Sequence, residues 1–145
     1  TRSRRPRPRP TERGMSTVEI RFSALPAHVR TARLVAAAAA RRAGVDEELL
    51  DEIRLAVGEA CSRAVGLHRR GGLTSPVTVT MGGDGKRFVV AVRDNLGDPT
   101  ELATPESGGW DDVVLGLAVL RGLVEDLEVH QRADGAEVRM GWPAG

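Results

Sequence analysis

Ile53-Arg-Leu-Ala-Val-Gly-Glu-Ala-Cys-Ser-Arg-Ala-Val-Gly-Leu-His68 decides the reading of this chain. Ile53, Ala56, Val57, Ala60, Ala64 and Leu67, preceded by Leu49, recur at helical spacing, so the segment reads as a buried amphipathic helix. Asp46 stands where an N-cap belongs, and Glu47 and Glu48 suit the positive end of the helix dipole. His68-Arg-Arg-Gly-Gly72 marks its end. Inside the apolar pattern stands one carboxylate, Glu59, with Arg63 four residues on. A carboxylate at the edge of an apolar stripe is a candidate general base. The same spacing also fits an i,i+4 ion pair with Arg63, and spacing alone favours the pair.

The flanks extend the pattern. Val18, Ile20 and Phe22 alternate with Glu19 and Arg21, as in a strand with one buried face. Pro26 suits the first turn of a helix. Val29, Ala32, Ala36 and Ala39, widened by Leu34 and Val35, carry that helix to Arg42, with Gly44 as its stop. Val77, Val79 and Met81 alternate, Gly82-Gly-Asp-Gly85 turns, and Phe88–Val92 returns. A long loop from Asp94 through Gly108-Gly109 is a candidate binding segment or lid. Val113–Val124 reads as a helix. Leu127–Arg132 and Ala136–Trp142 form a second hairpin across Ala133-Asp-Gly135. The order β α α β β (loop) α β β, with helices segregated to one side, points to a two-layer α/β sandwich.

Composition sets the bounds. The chain of 145 residues is long enough for one domain with a core. Aromatics make up 3%, namely Phe22, Phe88, Trp110 and Trp142, so Ala, Val and Leu must build the interior. No apolar run approaches the ~20 residues of a membrane span, and no secretory signal pattern appears. A single cysteine, Cys61, excludes an internal disulfide, fits a reducing cytoplasm and reads as a small buried hydrophobe. The net charge of +1 hides an asymmetry: six Arg and one Glu in residues 1–14 give +5, and the remainder carries −4. Residues 1–14 alternate Arg and Pro and are expected to be a disordered tail ahead of one domain over 15–145. As an electrostatic arm the tail would bind nucleic acid or an acidic partner. The preferred reading is a solvated leader, with a start at Met15.

Other residues invite chemistry. Asp94 ends the apolar strand Phe88-Val-Val-Ala-Val-Arg-Asp94, where a carboxylate can accept a ligand N–H or bond its own backbone in a turn. Gly116, near the start of its helix, would expose backbone N–H groups to a phosphate or permit close packing on the sheet. Gly58 reads as packing. His28, His68 and His130 show no metal-ligand spacing with one another or with Cys61, and read as exposed or capping.

In order, these pieces resemble the anti-sigma-factor serine/threonine kinases of the histidine-kinase-like ATPase (GHKL) superfamily, from about Val18 to Met140. Phe22-Ser-Ala-Leu25 leads into a helix bearing Ala32-Arg33. Leu55–Val65 resembles the family's N-box helix. Val90-Ala-Val-Arg-Asp94 resembles the strand into the adenine-binding Asp loop. Leu115–Val124 resembles the glycine-box helix, and Asp134–Met140 the closing strand. The resemblance implies a GHKL-type fold, with helices on one face of a mixed, mostly antiparallel sheet. It implies ATP or ADP with Mg²⁺ as cofactors. The implied partners are a sigma factor, a STAS-type anti-anti-sigma antagonist and a second copy in a homodimer. It assigns Glu59 as general base, Asp94 as the reader of the adenine amino group, Gly97 to the Asp loop, and Gly116 with Leu117 to the phosphate side. Arg33 becomes the contact to protein partners.

Four departures mark the nucleotide site as degenerate. Arg63 replaces the Asn that ligates Mg²⁺, and Arg has no lone pair to offer a cation. Leu96 takes a glycine's place beside Gly97. Val114 replaces another glycine. Ala136 stands where a hydroxyl is expected. Arg63 could pair with phosphate directly, or fill the pocket by pairing with Glu59. The expectation is a cytoplasmic bacterial anti-sigma protein acting by binding, with weak or absent kinase activity. The alternative is an active kinase of a STAS antagonist.

Overall fold

The computed structural model describes residues 16–97 and 110–145. The Arg/Pro tail, most of the expected lid and the side chains of 110–115 lie outside the described residues. Strand β1 (Ser16–Phe22) leads to helix α1 (Ala27–Ala43) and helix α2 (Leu50–Arg70). Strands β2 (Val77–Gly83) and β3 (Arg87–Asp94) form a hairpin. Helix α3 (Trp110–Leu123) precedes strands β4 (Asp126–Arg132) and β5 (Gly135–Pro143). The expected order holds, and the sheet runs β1-β2-β3-β5-β4 with every described pairing antiparallel. No helix among the described residues is long and apolar enough to cross a membrane.

Local signals explain the element ends. α1 begins after Pro26 and stops at Gly44, whose φ of 88° supplies a left-handed cap. Asp46 accepts the Glu48 N–H at 3.2 Å, capping a short 3-10 turn that runs into α2. The β2–β3 turn is tied by Asp84, whose Oδ1 accepts from the N–H groups of Lys86 and Arg87. Those two bonds hold its carboxyl below the ordinary carboxylate value. One boundary differs from expectation: α3 starts at Trp110 rather than Val113. Gly116 therefore lies past the first turn, inside the helix, where its N–H is not one of the free groups of a helix start.

The helices cover one face of the sheet, and small residues let them sit close. Ala32, Ala36 and Ala40 of α1 and Ala56, Ala60 and Ala64 of α2 are all buried. They share one core with Val77, Val79, Met81, Phe88, Val90 and Met140 of the strands. Trp142 closes one end, tilted against Phe88 at 6.3 Å, with its Nε1 donating to Glu52 at 2.6 Å. Cys61 is fully buried, as expected, and desolvation pushes its thiol up to about 12. Gly135 is required by close approach: a Cβ there would collide with the Asp94 carbonyl and stand 2.8 Å from the Asn95 Cα.

Two outcomes follow. The raised thiol value favours the protonated, folded form, so its stabilisation is complete below the ordinary thiol range near about 8.5. It is lost as pH rises toward 12. Urea midpoints of the native chain should therefore decline between about pH 8 and pH 10 more steeply than those of Cys61→Ala. Gly135→Ala should lower unfolding free energy by roughly 2 kcal/mol or more, measured by the same denaturation.

Candidate functional site

The site is built where α2 faces the end of β3. Arg63 projects from α2 and is buried. Its Nη1 donates to Asp94 Oδ2 at 3.4 Å, with both side chains at most 2% exposed. Among the described residues Arg63 thus pairs with Asp94 and not with Glu59, so the expected i,i+4 pair gives way to one across 31 residues. A charge taken out of water needs a counter-charge, and Asp94 supplies it.

Asp94 serves two partners at once. While Oδ2 faces Arg63, Oδ1 accepts the N–H of Leu96 at 2.9 Å and of Gly97 at 2.7 Å. The turn-forming reading of this aspartate is what the geometry shows on that oxygen. Gly97 adopts a φ of 94°, a left-handed conformation open to glycine. Ala136 is the register partner of Asp94 on β5, so a position expected beside the base does lie beside the aspartate.

Two further contacts pin this loop to the end of α2. The Asn95 N–H donates to His68 Nε2 at 2.9 Å. The ring proton therefore sits on Nδ1, which donates to the Ser75 carbonyl at 2.9 Å. His68 is fully buried, which corrects the expectation of an exposed or capping histidine. Leu96 packs against buried Leu67 and leans over Gly71, where an added Cβ would meet its Cδ1 at 2.8 Å. A leucine in a glycine's place thus becomes an anchor. Sequence reasoning missed His68 and the anchoring role of Leu96; the signal lay in their sharing a helical ridge and a loop that meet only in the fold.

Glu59 turns the other way, toward α3. It is half-buried, and its Oε2 lies 3.6 Å from where a Cβ on Gly116 would stand. The two residues are brought together across the α2–α3 contact. Leu117 is half-buried and packs against the apolar core. The side chain of Val114 lies outside the described residues. Arg33 stands apart from this cluster, on the α1 flank of α2. It is exposed, and its stem crosses Gly58 so closely that an added Cβ would sit 3.0 Å from its Cδ. Gly58 is indeed a packing glycine, and what it admits is Arg33.

Among the described residues no group of three or more His, Cys, Asp or Glu side chains could hold a metal ion. The residue at the expected Mg²⁺ position is Arg63, already facing a carboxylate, so the residues present do not fit that cation. A cleft of about 140 Å³ at this end of the sheet is lined in part by Thr78, Arg93, Asp94 and Arg132.

Comparison with known proteins agrees with the architecture. No curated protein matches the sequence. Among solved structures, the RsbU and RsbW domains of Rv1364c from Mycobacterium tuberculosis superpose with a TM-score of 0.63 at 20% identity. That alignment covers 87% of this chain and 32% of the other, so the chain spans about a third of the length of that relative. At such identity the likeness concerns the fold. The sequence itself matches a family profile over residues 22–142, which takes in β1's last residue, all three helices and the Asp94 loop. The chain belongs to the histidine kinase-like ATPase domain family.

Proposed function

We propose that this protein is a bacterial, cytoplasmic anti-sigma regulator that acts by binding. Its partners would be a sigma factor, a STAS-type anti-anti-sigma protein, or both, and its nucleotide pocket would be closed by its own arginine. The observation that carries the reading is the buried Arg63–Asp94 contact. In the kinases this chain resembles, the aspartate must offer an oxygen to the adenine amino group. Here Oδ1 is committed to the Leu96 and Gly97 N–H groups and Oδ2 to Arg63. Adenine would have to displace a guanidinium from a buried carboxylate. Removing one partner from a buried ion pair typically costs about 3–5 kcal/mol, which is comparable to a whole weak binding energy.

Partner binding requires nothing from that pocket. Arg33 lies on the exposed α1–α2 face, and α1 carries Arg30, Arg33, Arg41 and Arg42 without a single acidic residue. Leu34 beside it is 59% exposed. Basic and apolar groups together suit an acidic, partly apolar protein segment. The shared fold with the RsbU and RsbW domains of the mycobacterial protein supports a regulatory reading.

The kinase reading keeps one observation in its favour. Glu59 is not drawn into pairing with Arg63 and faces Gly116 across the α2–α3 contact. A general base in that place could serve phosphoryl transfer if nucleotide bound.

Calorimetric titration with ATP and ADP, with and without Mg²⁺, separates the readings. The native chain should give no binding. Arg63→Asn should gain it, at a stability cost of about 3 kcal/mol. Micromolar, Mg²⁺-dependent binding by the native chain would overturn the closed pocket and favour the kinase. Binding indifferent to Mg²⁺ would mean that Arg63 meets the phosphates itself. Arg33→Glu should weaken association with purified sigma factor or STAS protein at least about tenfold, with circular dichroism unchanged. An unaltered complex would remove Arg33 from the interface.

A further inference from the structure

The helix-facing side of the sheet is left uncovered at one place. Val18 is the register partner of Met81 and shares its face of the sheet. Met81 is buried at 1%, yet Val18 is 38% exposed. The cause lies in α1. Where the helix passes these two strands it offers Val35, Ala38, Ala39 and Ala43, and an alanine side chain is too short to reach the sheet. β2 answers with the bare backbone of Gly82 and Gly83. Helix and strand come close at Gly83, where an added Cβ would stand 3.1 Å from the Ala43 Cβ. A groove of about 390 Å³ remains between them.

The groove is mostly apolar and carries one charge. Among the described residues in its walls, Arg42 is the charged one. Arg41 and Arg42 both suit the negative end of the α1 dipole. Arg41 faces Glu47 at 3.5 Å, whereas Arg42 forms no ion pair among the described residues. No acidic residue occurs between Ile20 and Val45. Asp84, in the turn beside the groove, has its Oδ1 committed to the N–H groups of Lys86 and Arg87. Water between such walls finds few polar partners, and replacing loosely held water with an apolar group is favourable. An exposed guanidinium at the same place adds a preference for a carboxylate.

We propose that this groove is a binding site for a small amphiphilic carboxylate, with its apolar chain between α1 and β2 and its head on Arg42. The volume is of ligand-pocket size and suits a chain of roughly eight to ten carbons, each taking the room of one water molecule. The proposal rests on the groove and Arg42, not on the reading of the nucleotide pocket or of Arg33, so each can fail without the others.

Octanoate titrated into the whole chain, followed by amide NMR, tests it. The N–H signals of Gly82, Gly83 and Gly85, all in the groove wall, should shift saturably with a dissociation constant of about 1 mM or below. Octylamine, with the same chain and the opposite charge, should bind about tenfold more weakly or worse. Arg42→Glu should invert that order, weakening octanoate about tenfold and admitting octylamine. Binding of octylamine to the variant also shows that its groove is intact. Ala39→Leu should abolish the shifts with either probe by filling the space. Absence of saturable shifts at these glycines in the native chain would overturn the proposal. So would equal binding of the two probes by the native chain, or octanoate binding that Arg42→Glu leaves undiminished.

Discussion

One buried ion pair organises the functional half of this molecule. Arg63 lies in a helix that is otherwise apolar where it meets the sheet, and a guanidinium cannot remain there without a counter-charge. Asp94 supplies it from the far end of β3. That requirement fixes where the β3 strand must end, and it draws the following loop against α2. His68 and Leu96 then hold the same loop from the same helix, one by accepting a backbone N–H and the other by packing on Leu67. Gly135 lets the last hairpin press against it from the opposite side. The loop is thus shaped by the protein's own side chains.

Helix α2 separates two kinds of surface. Toward α3 it offers Glu59 at Gly116. Toward α1 it offers the bare backbone of Gly58, across which Arg33 lies. The residues at 58 and 59 are adjacent in sequence yet point to different neighbours, because successive side chains on a helix diverge by a large angle. A stem laid along apolar or bare backbone presents its charged head at a defined place, since an arginine keeps its methylenes on protein and its guanidinium in water.

Most of the architecture was legible in the sequence, and the reasons are local. Alternation in β1, helical spacing in α1 and α2, Pro26, Gly44 and Asp46 each act within a few residues of where they stand. The start of α3 was misplaced because Trp110-Asp-Asp carries no helical stripe of its own. That shift also moved Gly116 from a helix start to a helix body. Within the site, the residue types were legible and their pairings were not. Glu59 and Arg63 have the spacing of partners, but burial of Arg63 against the sheet outweighed the few tenths of a kcal/mol an exposed i,i+4 pair provides. A contact between residues 63 and 94 leaves no periodic trace. The same holds for His68, whose two nitrogens are satisfied by Ser75 ahead of β2 and Asn95 after β3.

The alanines between α1 and α2 carry a consequence for how this chain tolerates change. Ala32, Ala36, Ala40, Ala56, Ala60 and Ala64 are fully or almost fully buried, with relative exposures of 0–1%. Each contributes little by its own hydrophobic area, and trimming it to glycine would cost about 1 kcal/mol, mostly in helix propensity. Yet nearly every substitution open to an alanine adds volume, and added volume in a close-packed seam forces rotamers and backbone apart. The seam thus bears a modest loss better than any gain. Added bulk is therefore better borne at the loop ends and the outer sheet face than along the contact that sets α1 against α2.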